Sequence, residues 1–114
     1  MNRGEEMICA GGKMQKIKIM DNKSWQVVKH TNRYKVDIMV LEPGERVDVA
    51  ENKYAHSEQW MYIVAGNGEM VIGNEAARIE PWDLFLIEGR ETSVIQNTGN
   101  KPLGVFNIYT PRVN

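Results

Sequence analysis

An all-β domain, closed as a sandwich or barrel, is what this sequence predicts, and three observations predict it. Roughly nine or ten short apolar or alternating runs each end in a turn signal, close to the spacing expected of such folds. No window of a dozen residues keeps the i, i+3, i+4 apolar spacing of a helix without a Gly or Pro nearby. The length of 114 residues suits one domain and leaves no room for two.

The elements follow in order. Lys16 to Met20 alternates and is broken by Asp21-Asn22-Lys23-Ser24. Trp25 to His30 carries Val27 and Val28 and stops at Thr31-Asn32. Tyr34 to Leu41 is apolar and β-branched, and Pro43-Gly44 closes it with a corner, Pro setting φ and Gly accepting a positive one. Gly44 to Ser57 is the longest polar stretch, with room for one helical turn. Trp60 to Ala65 is aromatic and β-branched and turns at Gly66-Asn67-Gly68; Glu69 to Ile72 meets the hairpin dipeptide Gly73-Asn74. Ala76 to Ile79 runs to Pro81, which begins rather than interrupts a strand because it cannot donate to a ladder. Leu84 to Ile87, Thr92 to Ile95 and Leu103 to Tyr109 complete the set. The first residues, with Gly4, Gly11 and Gly12, read as an arm or edge strand, which divides the chain into an arm over 1–24 and a barrel over 25–114.

Composition narrows the function. Hydrophobic residues at 42% and charged residues at 25% are the balance of a globular domain. A net charge of −1 offers no basic surplus for a phosphate backbone, so nucleic acid is not an expected partner. The apolar runs are far shorter than the ~20 residues of a membrane span, and Met1 to Ile8 lacks the apolar core of a signal peptide; no membrane partner is expected and the expected location is cytoplasmic. Cys9 is the single cysteine, which excludes an intrachain disulfide and a CxxC site.

Two stretches resemble the paired signature of the cupin family of double-stranded β-helix barrels. Leu41-Glu42-Pro43-Gly44-Glu45, followed by Gln59-Trp60-Met61-Tyr62-Ile63-Val64-Ala65-Gly66-Asn67-Gly68, resembles "PGE … E-x-x-Y-V-L-x-G-x-G". Glu80-Pro81-Trp82-Asp83 to Gly89, followed by Gln96-Asn97-Thr98-Gly99-Asn100-Lys101-Pro102-Leu103, resembles "x-P-G-D-x-x-x-I-P-x-G-x-x-H-x-x-x-N-T-G-D-x-P-L". The likeness covers about residues 25 to 111 and is nearest in flavour to the small mannose-6-phosphate-isomerase-like cupins. It implies an all-β cupin jelly-roll barrel and, as for many small cupins, a homodimer, for which the alternating Lys16 to Met20 segment is the candidate pairing strand.

The resemblance also implies where ligands belong. Metal-bearing cupins hold an ion with two His and a Glu from the first motif and a His from the second. Here the Glu position falls on Gln59, the upstream His positions among Asn52, Lys53, Tyr54 and Ala55, and the second-motif His on Thr92. Side-chain alternation makes Glu58 and Gln59 mutually exclusive as inward residues, and a bulge after Gly89 would bring Ser93 inward in place of Thr92. His56 is the one histidine near the motifs; His30 lies on an early strand. This donor set is poor for a first-row metal, so no metal and no cofactor are expected. His56 and Tyr54, two apart, either look into the barrel as a base and acid of the sugar-epimerase kind or sit on a surface loop. The candidate ligand-binding residues are His56, Gln59, Tyr54, Met61, Thr92 and Phe85, around an apolar pocket for a small molecule, carbohydrate-like ones included. The alternative is an enzyme, a sugar-phosphate isomerase or epimerase or a metal-dependent dioxygenase.

Overall fold

The computed structural model describes residues 5–9, 12–19, 24–49, 57–88 and 92–111. Among them lie eleven strands: β1 (Glu5–Cys9), β2 (Gly12–Lys16), β3 (Trp25–His30), β4 (Lys35–Leu41), β5 (Arg46–Val49), β6 (Ser57–Ala65), β7 (Gly68–Ile72), β8 (Glu75–Ile79), β9 (Leu84–Glu88), β10 (Ser93–Asn97) and β11 (Leu103–Pro111). β1 and β2 form a hairpin; β5-β10-β7-β8 and β3-β4-β11-β6-β9 form a four-stranded and a five-stranded sheet. Every pairing is antiparallel.

Period-2 alternation makes the core. Leu41 and Met39 on β4, Leu103 and Val105 on β11, Met61 and Ile63 on β6 and Ile87 on β9 point from the five-stranded sheet toward Met70, Ile79 and Ile95 of the other. Val47, Ile72 and Phe85 pack against this cluster. Each fully buried side chain of this size contributes about 1.5–3 kcal/mol, which holds the two sheets face to face.

The sequence misplaces a few elements. Within Gly44 to Ser57, Arg46-Val47-Asp48-Val49 alternates and forms strand β5, Val47 reaches the core, and the strand pairs with β10; residues 50–56 lie outside the described residues. Lys16 to Met20 is not a strand as a whole; β2 ends at Lys16, and residues 17–19 have no regular structure. Within the expected arm, β1 and β2 pair from Glu5↔Lys16 to Cys9↔Gly12.

Two corners share one construction. In Glu42-Pro43-Gly44-Glu45 and Glu80-Pro81-Trp82-Asp83, the fourth residue's N–H donates to the first residue's carbonyl (2.9 and 3.1 Å). In both, the first residue's N–H donates back to the fourth residue's carboxylate (2.7 and 2.9 Å). Pro presets the second position, and the third has positive φ, +87° at Gly44 and +82° at Trp82. Glycine adopts that conformation freely; a bulky L residue does so at a cost of order 1 kcal/mol or more. Trp82 is therefore strained, and its side chain is 84% exposed.

Candidate functional site

The inward row of the five-stranded sheet changes character along its length. Across β11 and β4 the pairs run Leu103↔Leu41, Val105↔Met39, Asn107↔Asp37 and Tyr109↔Lys35. Two apolar pairs are followed by two polar ones. Gln59, beside Tyr109 on β6, continues the polar end. Asp37, Gln59 and Asn107 are each only 2% exposed.

These three side chains form a relay. Gln59 Nε2 donates to Asn107 Oδ1 (3.0 Å), and Asn107 Nδ2 donates to Asp37 Oδ1 (2.9 Å). The carboxylate dictates the direction. Ionised Asp37 only accepts, so Asn107 must turn its amide nitrogen toward it and its oxygen toward Gln59. Gln59 then spends its nitrogen on Asn107, which leaves its Oε1 as the acceptor ending the relay.

Around Asp37 stand a cation and two rings. Lys35 Nζ lies 3.9 Å from Asp37 Oδ2, and 5.4 and 5.5 Å from the ring centroids of Trp25 and Tyr109, within cation–π reach. Burial pushes the Asp37 carboxyl above the usual carboxylate range; the hydrogen bond from Asn107, the charge of Lys35 and a hydrogen bond from Trp25 pull it partly back.

The relay borders a cavity of about 350 Å³, walled by Trp25, Asp37, Gln59, Asn107 and Tyr109 at its polar side and by Met39, Leu41 and Val47 below. That size and mixture, an apolar wall with a few converging polar groups, is that of a small-molecule site.

Among the described residues, the donors at the cavity do not make up a transition-metal site. Among the described residues no three His, Cys, Asp or Glu side chains converge. At the cavity wall stand two carboxylates, of which Asp37 neighbours an ammonium and Glu45 accepts from the Glu42 N–H, and two amides that are bonded to each other. First-row ions call for imidazole, thiolate or several carboxylates.

The structure places the expected residues as follows. Gln59, not Glu58, is the inward residue: it is buried while Glu58 is half-buried. Met61 is fully buried in the core, and Phe85 packs against it from β9. Thr92 is exposed and does not face inward; Ser93, 3% exposed, takes that position because β10 starts its inward alternation there and continues through Ile95 and Asn97. His56 and Tyr54 lie outside the described residues. His30 is exposed at the end of β3.

Sequence reasoning missed Asp37, Asn107, Lys35, Trp25 and Tyr109 as site residues. A signal was present: Asp37 and Asn107 are lone polar residues inside strongly apolar runs. They acquire meaning only through the β4–β11 register that sets them opposite each other.

Residues 13–112 match the family model described as mannose-6-phosphate isomerase C-terminal. No curated protein sequence matches the chain. Solved structures do. An uncharacterized conserved protein with a double-stranded β-helix domain from Klebsiella pneumoniae is 20% identical, with TM-score 0.68, covering 82% of each chain. The cupin domain of an XRE-family transcriptional regulator from Enterobacter cloacae is 18% identical, with TM-score 0.67, covering 79% of this chain and all (100%) of that one. A predicted oxalate decarboxylase from Thermotoga maritima is 20% identical, with TM-score 0.68, covering 96% and 92%. At these identities the likeness establishes the fold, a cupin-type double-stranded β-helix. That one fold serves a regulator's domain and a protein predicted to be an oxalate decarboxylase, so function must be argued from the site.

Proposed function

The chain belongs to the mannose-6-phosphate isomerase C-terminal family, and from that premise we propose that it binds a polyhydroxylated small molecule of carbohydrate type in the barrel cavity, without a metal. The observation that carries this reading is the buried Gln59–Asn107–Asp37 relay bordering the cavity. A hydroxyl group donates, which suits an amide oxygen beside a carboxylate, since both of these accept. Trp25 and Tyr109 add ring faces suited to the C–H side of a sugar, and Lys35 balances the charge of Asp37.

Thermal unfolding with a panel of monosaccharides and their phosphates at millimolar concentration tests it. At least one member should raise the midpoint in proportion to the logarithm of its concentration, and Asp37→Ala or Asn107→Ala should abolish that rise. A flat response of the wild-type protein across the panel overturns the reading.

A second reading, a sugar isomerase or epimerase working by proton transfer, is favoured by one observation. Asp37 is a buried carboxyl on the cavity wall whose pKa is raised by burial, the direction that favours a carboxyl able to exchange a proton. In that case a bound sugar takes up solvent deuterium at carbon, and Asp37→Asn stops the exchange without preventing binding. Absence of exchange leaves binding as the function.

A further inference from the structure

Formal charge along the cavity wall has one sign. Asp37 and Glu45 bring a carboxylate each, and among the described residues no Lys, Arg or His lines the cavity. Lys35, the ammonium 3.9 Å from Asp37 Oδ2, is not one of the lining residues. It stands over the rings of Trp25 and Tyr109 and balances one carboxylate of the two. The wall keeps a negative excess.

Independently of charge, one buried acceptor on this wall lacks a donor. Gln59 lines the cavity and is 2% exposed. Its Nε2 donates to Asn107, and among the described residues nothing donates to its Oε1. A buried amide oxygen left unpaired costs free energy. A group that donates from within the cavity removes that cost.

We propose that the cavity holds its ligand by a protonated amine, seated against Gln59 Oε1 and the Asp37 carboxylate. The inference rests on the reading of the cavity as a carbohydrate site and specifies the sugar: an amino sugar, in contrast to the phosphorylated sugar that the family is called after.

An ammonium meets both observations at once. It only donates, and three times over, and its charge is opposite to the wall's. A cation seated beside Asp37 also supplies compensation that burial withholds from the carboxylate. Charge-assisted hydrogen bonds are roughly twice as strong as neutral ones, so an amine should outbind a hydroxyl at the same place. A phosphate meets the reverse. Its oxygens accept and carry negative charge, and the wall offers carboxylates where phosphate sites use Arg, Lys or a helix N-terminus; the described elements are all strands. The second amide N–H of Asn107 and of Gln59 is left for hydroxyl oxygens, which suits the rest of the sugar.

Isothermal titration calorimetry of the full chain at neutral pH tests the proposal with matched sets. These are glucosamine, glucose and glucose 6-phosphate, the mannose and galactose counterparts, and cyclohexylamine as an amine without hydroxyls. At least one amino sugar should bind about tenfold or more tighter than its parent hexose, and the matching 6-phosphate should bind more weakly than either. Asp37→Asn should cut the amino-over-parent ratio to about threefold or less, and Glu45→Gln should lower it by a smaller factor. A parent hexose or a phosphate that binds as tightly as the amino sugar overturns the inference and leaves the carbohydrate reading standing. So does a ratio unchanged by both substitutions. Cyclohexylamine binding as tightly as any sugar supports the ammonium site and removes the carbohydrate reading, and a flat titration with every probe removes both.

Discussion

Two buried polar groups sit at opposite ends of the same barrel and are satisfied in different ways. Asn97 closes the apolar end. Its Nδ2 donates to the carbonyls of Leu41 (2.8 Å) and Lys101 (2.7 Å), and its Oδ1 accepts from Gly99 N–H (2.9 Å). Its backbone joins in, donating to Glu45 O and accepting from Gly44 N–H. All of these partners are main chain, so the side chain works as a clasp between two corners. The Gln59–Asn107–Asp37 relay holds the other end through side chains alone, includes a carboxylate, and faces a cavity. The first arrangement is what stability asks of a buried amide. The second buries a charge with incomplete compensation, which costs stability, and so points to a ligand.

The sharpest way to break this contrast is Asn97→Ala. It takes the Asn97 amide away from one buried carbonyl, one part-buried carbonyl and a part-buried N–H and should lower unfolding stability by about 3 kcal/mol, read by denaturant titration. Asn107→Ala removes as many relay bonds as the relay has, yet the cavity lets water reach the stranded groups, so the loss should be smaller, about 1–2 kcal/mol. If Asn107→Ala proves the more damaging, the relay is structural and the contrast fails.

Asp37→Asn should have the smallest effect on stability and changes its sign with pH. Because burial holds the folded pKa above the ordinary aspartate value, the folded state binds more protons than the unfolded one between the two values. Stability therefore falls as pH rises through that window, and the penalty is fully present above it. Asp37→Asn should flatten the slope and leave the protein equal or slightly more stable at neutral pH. A variant that is less stable at neutral pH than at pH 3, relative to wild type, would mean that the carboxylate stabilises the fold.

The fold was legible because it depends on local signals. Alternation located most strands, and the Pro-Gly and Gly-Asn pairs located corners that the backbone confirms, as at Gly44 and at Gly66 (φ +86°), where a Cβ would collide with Pro102 O and Leu103 Cα. Strand β5 was hidden because Arg46 and Asp48 make a short run look polar, although Val47 ties it to the core. The site was legible in part. Gln59 was found through its place in a motif, whereas choosing it over Glu58 needed the register. Asp37 and Asn107 were out of reach because they lie 70 residues apart in sequence and act as one unit only across the β4–β11 ladder. The exposed Thr92 shows the same limit: a one-residue difference in strand onset exchanges it with Ser93.

The most direct measurement replaces the relay as a whole. A Gln59→Met, Asn107→Leu, Asp37→Leu variant leaves no member stranded and fills the same space with apolar atoms. Its denaturation midpoint should equal or exceed that of the wild type while every sugar-dependent rise in that midpoint disappears. A fall as deep as that of Asn97→Ala would contradict the account and make the polar end of the barrel part of its scaffold.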